Sequence, residues 1–134
     1  MGGDTIISII EESKSKLNQI EYFIISSHGL NNEVRKYLFD NDYSLINQDA
    51  CFDDGDHYYE VNLFKKGKMQ YDELDVEFGR ILIEKCNLSF IENIKINVDK
   101  MHNLINKNNL PQDKIDEINK EINKYYSVLN LFNF

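Results

Sequence analysis

Residues 43–65 read YSLINQDACFDDGDHYYEVNLFK, and this stretch decides the fold class. Two runs rich in aromatic and β-branched residues, Tyr43–Phe52 and His57–Lys65, flank Asp53-Asp54-Gly55-Asp56. An Asp-Gly pair between alternating apolar runs is a strong hairpin signal, because a tight turn needs residues that tolerate unusual backbone angles. The reading is two antiparallel strands joined by a short acidic turn.

Working back from the hairpin, Val34, Tyr37 and Leu38 recur at helical spacing, which predicts a helix over Asn31–Asp40. Before it, Glu21-Tyr22-Phe23-Ile24-Ile25-Ser26 is a short β-rich run, the pattern of a strand buried on both faces, and Ser27-His28-Gly29 breaks it. Further back, Asp4 caps a helix that runs to about Leu17, with Ile6, Ile7, Ile9 and Ile10 as its apolar side. The order helix, strand, helix, antiparallel hairpin suits the closing half of an α/β sheet whose last strand runs against the rest.

Working forward, Lys66-Gly67-Lys68 ends the sheet part, and residues 69–87 read as a connector with a short helix near Val76–Glu84. Ser89-Phe90-Ile91-Glu92 then reads as a capping box. Ile91, Ile94, Val98, Met101 and Ile105 recur at alternating steps of three and four, and Ile115, Ile118, Ile122, Tyr125 and Leu129 do the same. Asn106-Lys107-Asn108-Asn109 is a polar turn between them, and Pro111 suits the first position of a new helix. Two such seams across a tight turn predict an antiparallel coiled-coil hairpin. The division is 1–68 for the sheet part, 69–87 for the connector and 88–134 for the hairpin.

At 134 residues and 42% hydrophobic composition, the chain suits one modest core with an appended element. No run approaches the ~20 apolar residues of a membrane span. Met1-Gly2-Gly3-Asp4 has no basic region and no cleavage pattern, and two cysteines, Cys51 and Cys86, read as free thiols, so the expectation is a cytoplasmic protein. The net charge of −8 argues against tight phosphate-driven RNA binding by this chain alone. It is uneven: residues 1–87 carry 9 Lys and Arg against 17 Asp and Glu, whereas residues 88–134 carry 6 of each. The C-terminal third is therefore the less repulsive surface for a nucleic acid.

Several stretches, in order, resemble the bacterial tRNA (adenine-22-N1)-methyltransferase family. Met1-Gly2-Gly3, followed by Asp4-Thr5-Ile6-Ile7, is similar to the end of that family's Ala-Gly-Met-Gly-Gly motif. Glu33-Val34-Arg35-Lys36-Tyr37-Leu38 resembles its Glu-Leu-Arg-x-Trp-Leu helix, and Asn41-Asp42-Tyr43-Ser44-Leu45-Ile46 its Asn-Gly-Tyr-x-Ile stretch. Asp53-Asp54-Gly55-Asp56-His57-Tyr58-Tyr59-Glu60 resembles its Glu-Asp-Gly-Lys-x-Tyr-Glu hairpin, and Glu77-Phe78-Gly79 its Phe-Gly-Pro. The likeness covers nearly the whole chain, and motif order is its specific part. It departs where Ser26-Ser27-His28 replaces a Gln-Pro-Asn-like loop and where Arg80 replaces Pro.

The resemblance implies the C-terminal half of a Rossmann-like sheet, strands five to seven, followed by the coiled-coil hairpin. It implies S-adenosylmethionine as family cofactor and tRNA as partner. It places Gly2 and Gly3 beside the cofactor and Ser27 and His28 beside the target base, and leaves the catalytic residues unknown. A Rossmann methyltransferase holds its cofactor on a Gly-rich turn after the first strand, with an acidic residue ending the second. This chain has neither, so it reads as a truncated C-terminal part that binds no cofactor and has no activity alone. The alternative is a non-catalytic interaction or oligomerisation module, because an exposed apolar strand such as Tyr22–Ser26 invites another chain, either a second copy or a separately encoded N-terminal half.

The blander readings stand beside these. Gly2-Gly3 also reads as a flexible start, and His28 as an ordinary loop residue. His57 and His102 have no second His or Cys at ligand spacing, so no metal is expected. The acidic cluster around Gly55 is too short for an EF-hand and reads as turn chemistry. Asp72, Glu73, Asp75 and Glu77 read as a solvated face. Tyr58-Tyr59 and Tyr125-Tyr126 read as packing more than as base-stacking platforms. Lys95, Lys107, Lys114, Lys120 and Lys124 read as a weak RNA face or a solvated exterior.

Overall fold

The computed structural model describes residues 2–27 and 29–132, which form two compact units, Met1–Asn87 and Leu88–Phe134. In the first, helix α1 (Gly3–Glu12) and a 3-10 turn (Lys14–Gln19) precede strand β1 (Tyr22–Ser27). Helix α2 (Asn31–Asp40), strands β2 (Tyr43–Phe52) and β3 (Tyr58–Lys66), and short helices α3 (Glu73–Glu77) and α4 (Arg80–Glu84) follow. The second unit is α5 (Leu88–Lys107) and α6 (Gln112–Asn130).

The hairpin forms as its sequence predicts, with Phe52 opposite Tyr58 and Leu45 opposite Phe64. Its turn is held by Asp53, whose Oδ1 accepts from the backbone N–H groups of Gly55 and His57, both at 2.9 Å. The His57 N–H in particular holds the Asp53 carboxyl below the usual carboxylate range. The left-handed residue is Asp56, at φ 60°, and not Gly55. Asp tolerates that conformation because its short polar side chain bonds locally. A bulge at Ile46 lets β2 keep Leu45 and Gln48 on the same side of the sheet.

β3 lies between β1 and β2 and runs against both, so β1 and β2 are parallel to each other. One face carries Ile25, Phe64, Tyr43 and Leu45 into a core with Ile6 and Ile10 of α1, Leu17, and Val34, Leu38 and Phe39 of α2. Burying such side chains stabilises by about 1.5–3 kcal/mol each relative to exposure. α1 and α2 are also tied at their surfaces. The Tyr37 hydroxyl donates to Glu11 at 2.6 Å, and burial, then the Glu11 carboxylate, push the phenol up to about 12.

Several expectations change. Gly2, not Asp4, caps α1, and no side chain bonds the cap; Asp4 lies in the first turn. α1 ends at Glu12, short of Leu17, because the following residues tighten into the 3-10 turn. That turn drops Leu17 into the core, where the Tyr43 hydroxyl donates to the carbonyls of Leu17 at 2.9 Å and Ile20 at 2.6 Å. β1 is not buried on both faces. Ile25 is 7% exposed but its neighbour Ile24 is 76% exposed, since helices cover one face only.

The single connector helix is two, broken at Gly79. The capping box lies at Asp72–Asp75, each side chain accepting from the other's backbone N–H at 3.0 Å, rather than at Ser89–Glu92, where α5 has already begun at Leu88. Pro111 is the cap of α6 and not its first residue. Of the acidic connector residues, Asp72 and Glu73 are exposed as a solvated face requires, but Asp75 is not. Asp75 is buried, and Arg80 donates to Asp75 at 3.0 Å and to Asp72 at 2.5 Å.

The connector is fixed to the sheet by buried polar groups. Arg35 of α2, 1% exposed, donates to Glu60 of β3 at 2.6 Å and to the carbonyls of Val76 and Glu77, both at 2.7 Å. Gln48 donates to Asn62 at 2.8 Å and to the Phe78 carbonyl at 3.3 Å, and accepts from the Leu82 N–H at 3.2 Å. Gly79, at φ 80°, passes over Gln48 so closely that a Cβ would sit 2.1 Å from Nε2. In the second unit, Phe90, Ile91, Ile94 and Val98 of α5 and Ile122, Val128 and Leu129 of α6 are buried.

Removing one partner of a buried pair leaves the other charge uncompensated. Arg35→Met should therefore lower the unfolding free energy by about 3–5 kcal/mol. Adding Glu60→Gln should recover part of that loss. Urea unfolding of both variants checks this, and an additive double variant would contradict it.

Candidate functional site

The parallel pair β1 and β2 ends at one end of the sheet. Ser27 and Ala50 are level with each other, both opposite Glu60. In α/β sheets that end is where ligands bind, because loops there gather around the strand termini. Two separated stretches meet beside it. Gly3, the first residue of α1, is buried against the loop that follows β1. A Cβ on Gly3 would stand 2.7 Å from the Leu30 Cβ and 2.9 Å from the Gly29 carbonyl oxygen. Only a glycine fits there without displacing the loop. Leu30 itself holds a left-handed conformation, at φ 58°, and its carbonyl accepts the first α2 bond from Val34 at 3.1 Å.

The residues singled out from sequence therefore separate into groups. Gly2 is exposed, extended and clear of neighbours, while Gly3 is packed. Ser27 is the last residue of β1. His28 lies outside the described residues. The backbone thus brings Gly2–Gly3 and Ser27 to the same end, a juxtaposition that the sequence separation of some two dozen residues conceals.

The α1 first turn presents backbone N–H groups without a side-chain cap, a partial positive charge that favours anionic or polar ligands. Beside it, Ile6, Ile9 and Ile10 of α1 and Phe23, Ile24, Ile25 and Ser26 of β1 line an apolar cleft of about 330 Å³. Polar N–H groups at one end and an apolar wall along the side suit an amphipathic ligand or a chain segment.

The other candidates resolve locally. His57 contacts Asp53 at 3.2 Å in the exposed turn, and His102 contacts the Tyr126 hydroxyl at 3.0 Å between α5 and α6. Tyr58 is half-buried, donates weakly to Glu60 at 3.4 Å, and burial pushes its phenol up. Lys114 pairs with Glu117 at 3.5 Å and Lys124 with Glu121 at 3.2 Å on the second unit. Among the described residues no cluster of three metal-binding side chains occurs, and no helix is long and apolar enough to cross a membrane. Sequence reading missed Arg35, Glu60, Gln48 and Asn62, whose roles depend on partners far along the chain.

The family model of tRNA (adenine(22)-N(1))-methyltransferase matches residues 1–129. A protein of the NADB-Rossmann superfamily from Streptococcus agalactiae superimposes with a TM-score of 0.85 at 23% identity, over 96% of this chain and 56% of that one. M. capricolum TrmK, solved with S-adenosyl-homocysteine, gives 0.83 at 24% identity, over 97% and 57%. The B. subtilis m1A22 tRNA methyltransferase TrmK gives 0.80 at 21% identity, over 96% and 59%. At these identities the structures show the shared fold. No curated protein matches the chain. The chain spans less than two thirds of the length of these relatives. With its motifs in family order and the family model matched along almost its whole length, this chain belongs to the tRNA (adenine(22)-N(1))-methyltransferase family.

Proposed function

We propose that the chain is the C-terminal part of an S-adenosylmethionine-dependent enzyme that methylates N1 of an adenosine in tRNA, and that it is inactive without the cofactor-holding half. The family match over residues 1–129 carries this reading. On it, β1, β2 and β3 are strands five, six and seven of the Rossmann sheet, residues 69–87 connect, and residues 88–134 form an antiparallel coiled coil that helps hold the tRNA. The balanced charge of that last segment is compatible with an RNA neighbour, where the −8 of residues 1–87 is not.

The residues present suit one wall of a cofactor site only. The first turn of α1, after the Gly2 cap, offers N–H groups with no side-chain cap, and no Gly-x-Gly occurs in the sequence. The bound cofactor would supply an activated methyl on a sulfonium. This chemistry needs alignment more than proton transfer. Gly3 would serve it by letting α1 approach the loop after β1, and Ser27 and His28 by lining the base side.

A second reading, a non-catalytic interaction module, draws on the exposure of Ile24 in the middle of β1. The two separate experimentally. The chain is mixed with a polypeptide covering the part of its relatives that it does not span, and labelled methyl transfer to tRNA is measured. Activity only when both are present is expected. A verified complex with no transfer would overturn the enzymatic reading. Within that assay, Gly3→Ala should cut transfer by about tenfold or more, because a misplacement of ~1 Å costs up to a hundredfold.

A further inference from the structure

We propose, resting on the methyltransferase reading above, that Leu30 is an apolar wedge that fills the RNA stack when the target adenine leaves it. N1 lies on the edge that adenine uses for base pairing, so the base must come out of its stack before N1 can meet a methyl donor. Proteins that unstack bases commonly insert an apolar side chain between the steps. Such a side chain has to be exposed, mounted on firm backbone, and close to where the base is received.

Leu30 stands against three local preferences at once. Its backbone is left-handed, at φ 58° and ψ 30°, a region that Gly, Asn and Asp enter far more readily than bulky residues. Of the four residues other than glycine at positive φ among the described residues, two are Asp and the others are Leu30 and Cys86. Leu30 is also the N-cap of α2, where Ser, Thr, Asp or Asn would bond the first turn and Leu makes no side-chain cap. It is apolar, and yet 41% exposed. An Asn would suit the backbone, the cap position and the exposure together. The contact with Gly3 does not call for Leu either. The side-chain atom that comes closest to a Cβ built on Gly3 is the Leu30 Cβ, which every residue but glycine carries. What the fold leaves without a use is the branched apolar end of the side chain. Residues that break local preference with no structural gain collect at functional positions.

Its place fits the part. Among the described residues of the first unit, the other large apolar side chains left exposed belong to regular elements, Ile9 to α1 and Tyr22, Ile24, Ile46 and Val61 to strands. Leu30 stands in the loop after β1, at the end of the sheet where Ser27 and Ala50 are level. It is also held on two sides. Its carbonyl accepts from the Val34 N–H at 3.1 Å, and Gly3 packs against its backbone and Cβ. A wedge on this mount pushes into a stack without swinging aside.

The test uses the chain together with the polypeptide that completes it, and two RNAs: a folded tRNA transcript, and a short unstructured RNA carrying the same adenosine. Leu30→Asn keeps a residue that the backbone and the cap position favour, and urea unfolding should show no loss of stability. It should cut methyl transfer to the folded tRNA by about tenfold or more, but to the unstructured RNA by at most about twofold, because nothing there has to be unstacked. Leu30→Met, which restores an apolar end, should recover most of the loss. A second readout leaves methylation aside. A fluorescent adenine analogue at the target position, one that brightens on leaving the stack, should brighten with the parent and stay dim with Leu30→Asn, in the absence of cofactor. Equal losses of transfer on the two RNAs would overturn the proposal, since a scaffold residue or a contact to the completing polypeptide behaves so. No loss on either, or brightening that ignores the substitution, would overturn it too. Brightening that depends on Leu30 without any methyl transfer would leave the wedge standing and remove the enzymatic reading alone.

Discussion

A single buried guanidinium organises the first unit. Arg35 leaves α2 among core residues and reaches three acceptors on two elements, one carboxylate on β3 and two carbonyls at the end of α3. Its charge is compensated by Glu60 at 2.6 Å, and its remaining donors are directed by the planar fork of the group. Without it, the carbonyls of Val76 and Glu77 would each lose a donor that ties the chain between β3 and α4 to α2. Gln48 and Asn62 repeat the device one step along the sheet, so that the side of the core facing the connector is polar and directional where the side facing α1 and α2 is apolar.

That division explains what could be read from the sequence. The hairpin and both ends of α2 were legible, because alternation, helical spacing and turn residues act over a few positions. Arg35 was not, because its partners lie 25, 41 and 42 residues away. The same holds for Asp75, which looked like one acid in a solvated run. A local signal was present in Asp72-x-x-Asp75, the spacing of a capping box, but Ser89-x-x-Glu92 offered the same spacing and did not form one. The difference is the chain before each: extended at Asp72, already helical at Leu88. Burial of the Tyr22–Ile25 run failed as a prediction for a different reason. Its composition describes an environment with two covers, and the described residues provide one.

At the candidate site, family resemblance singled out Gly2, Gly3, Ser27 and His28, and the contact that packs Gly3 was not legible. Gly3 and Leu30 are far apart in sequence, and the need for glycine arises from a contact that only the packed α1 and α2 create. Local turn chemistry would assign Gly55 the special backbone, yet Asp56 takes it. The position that tolerates no Cβ for steric reasons was instead at the start of a helix, where glycine usually looks incidental.

The uncharged strand Tyr22–Ser27 also bears on how the chain survives at concentration. A six-residue β-rich segment without Pro or charge is the kind that stacks into cross-β assemblies when it stays uncovered. The surrounding −8 charge keeps molecules apart in dilute solution but weakens as salt screens it. Ionic strength and occupancy of one sheet edge thus act on the same tendency to self-assemble. The amount of dispersed chain a cell could hold would track the supply of whatever covers that edge.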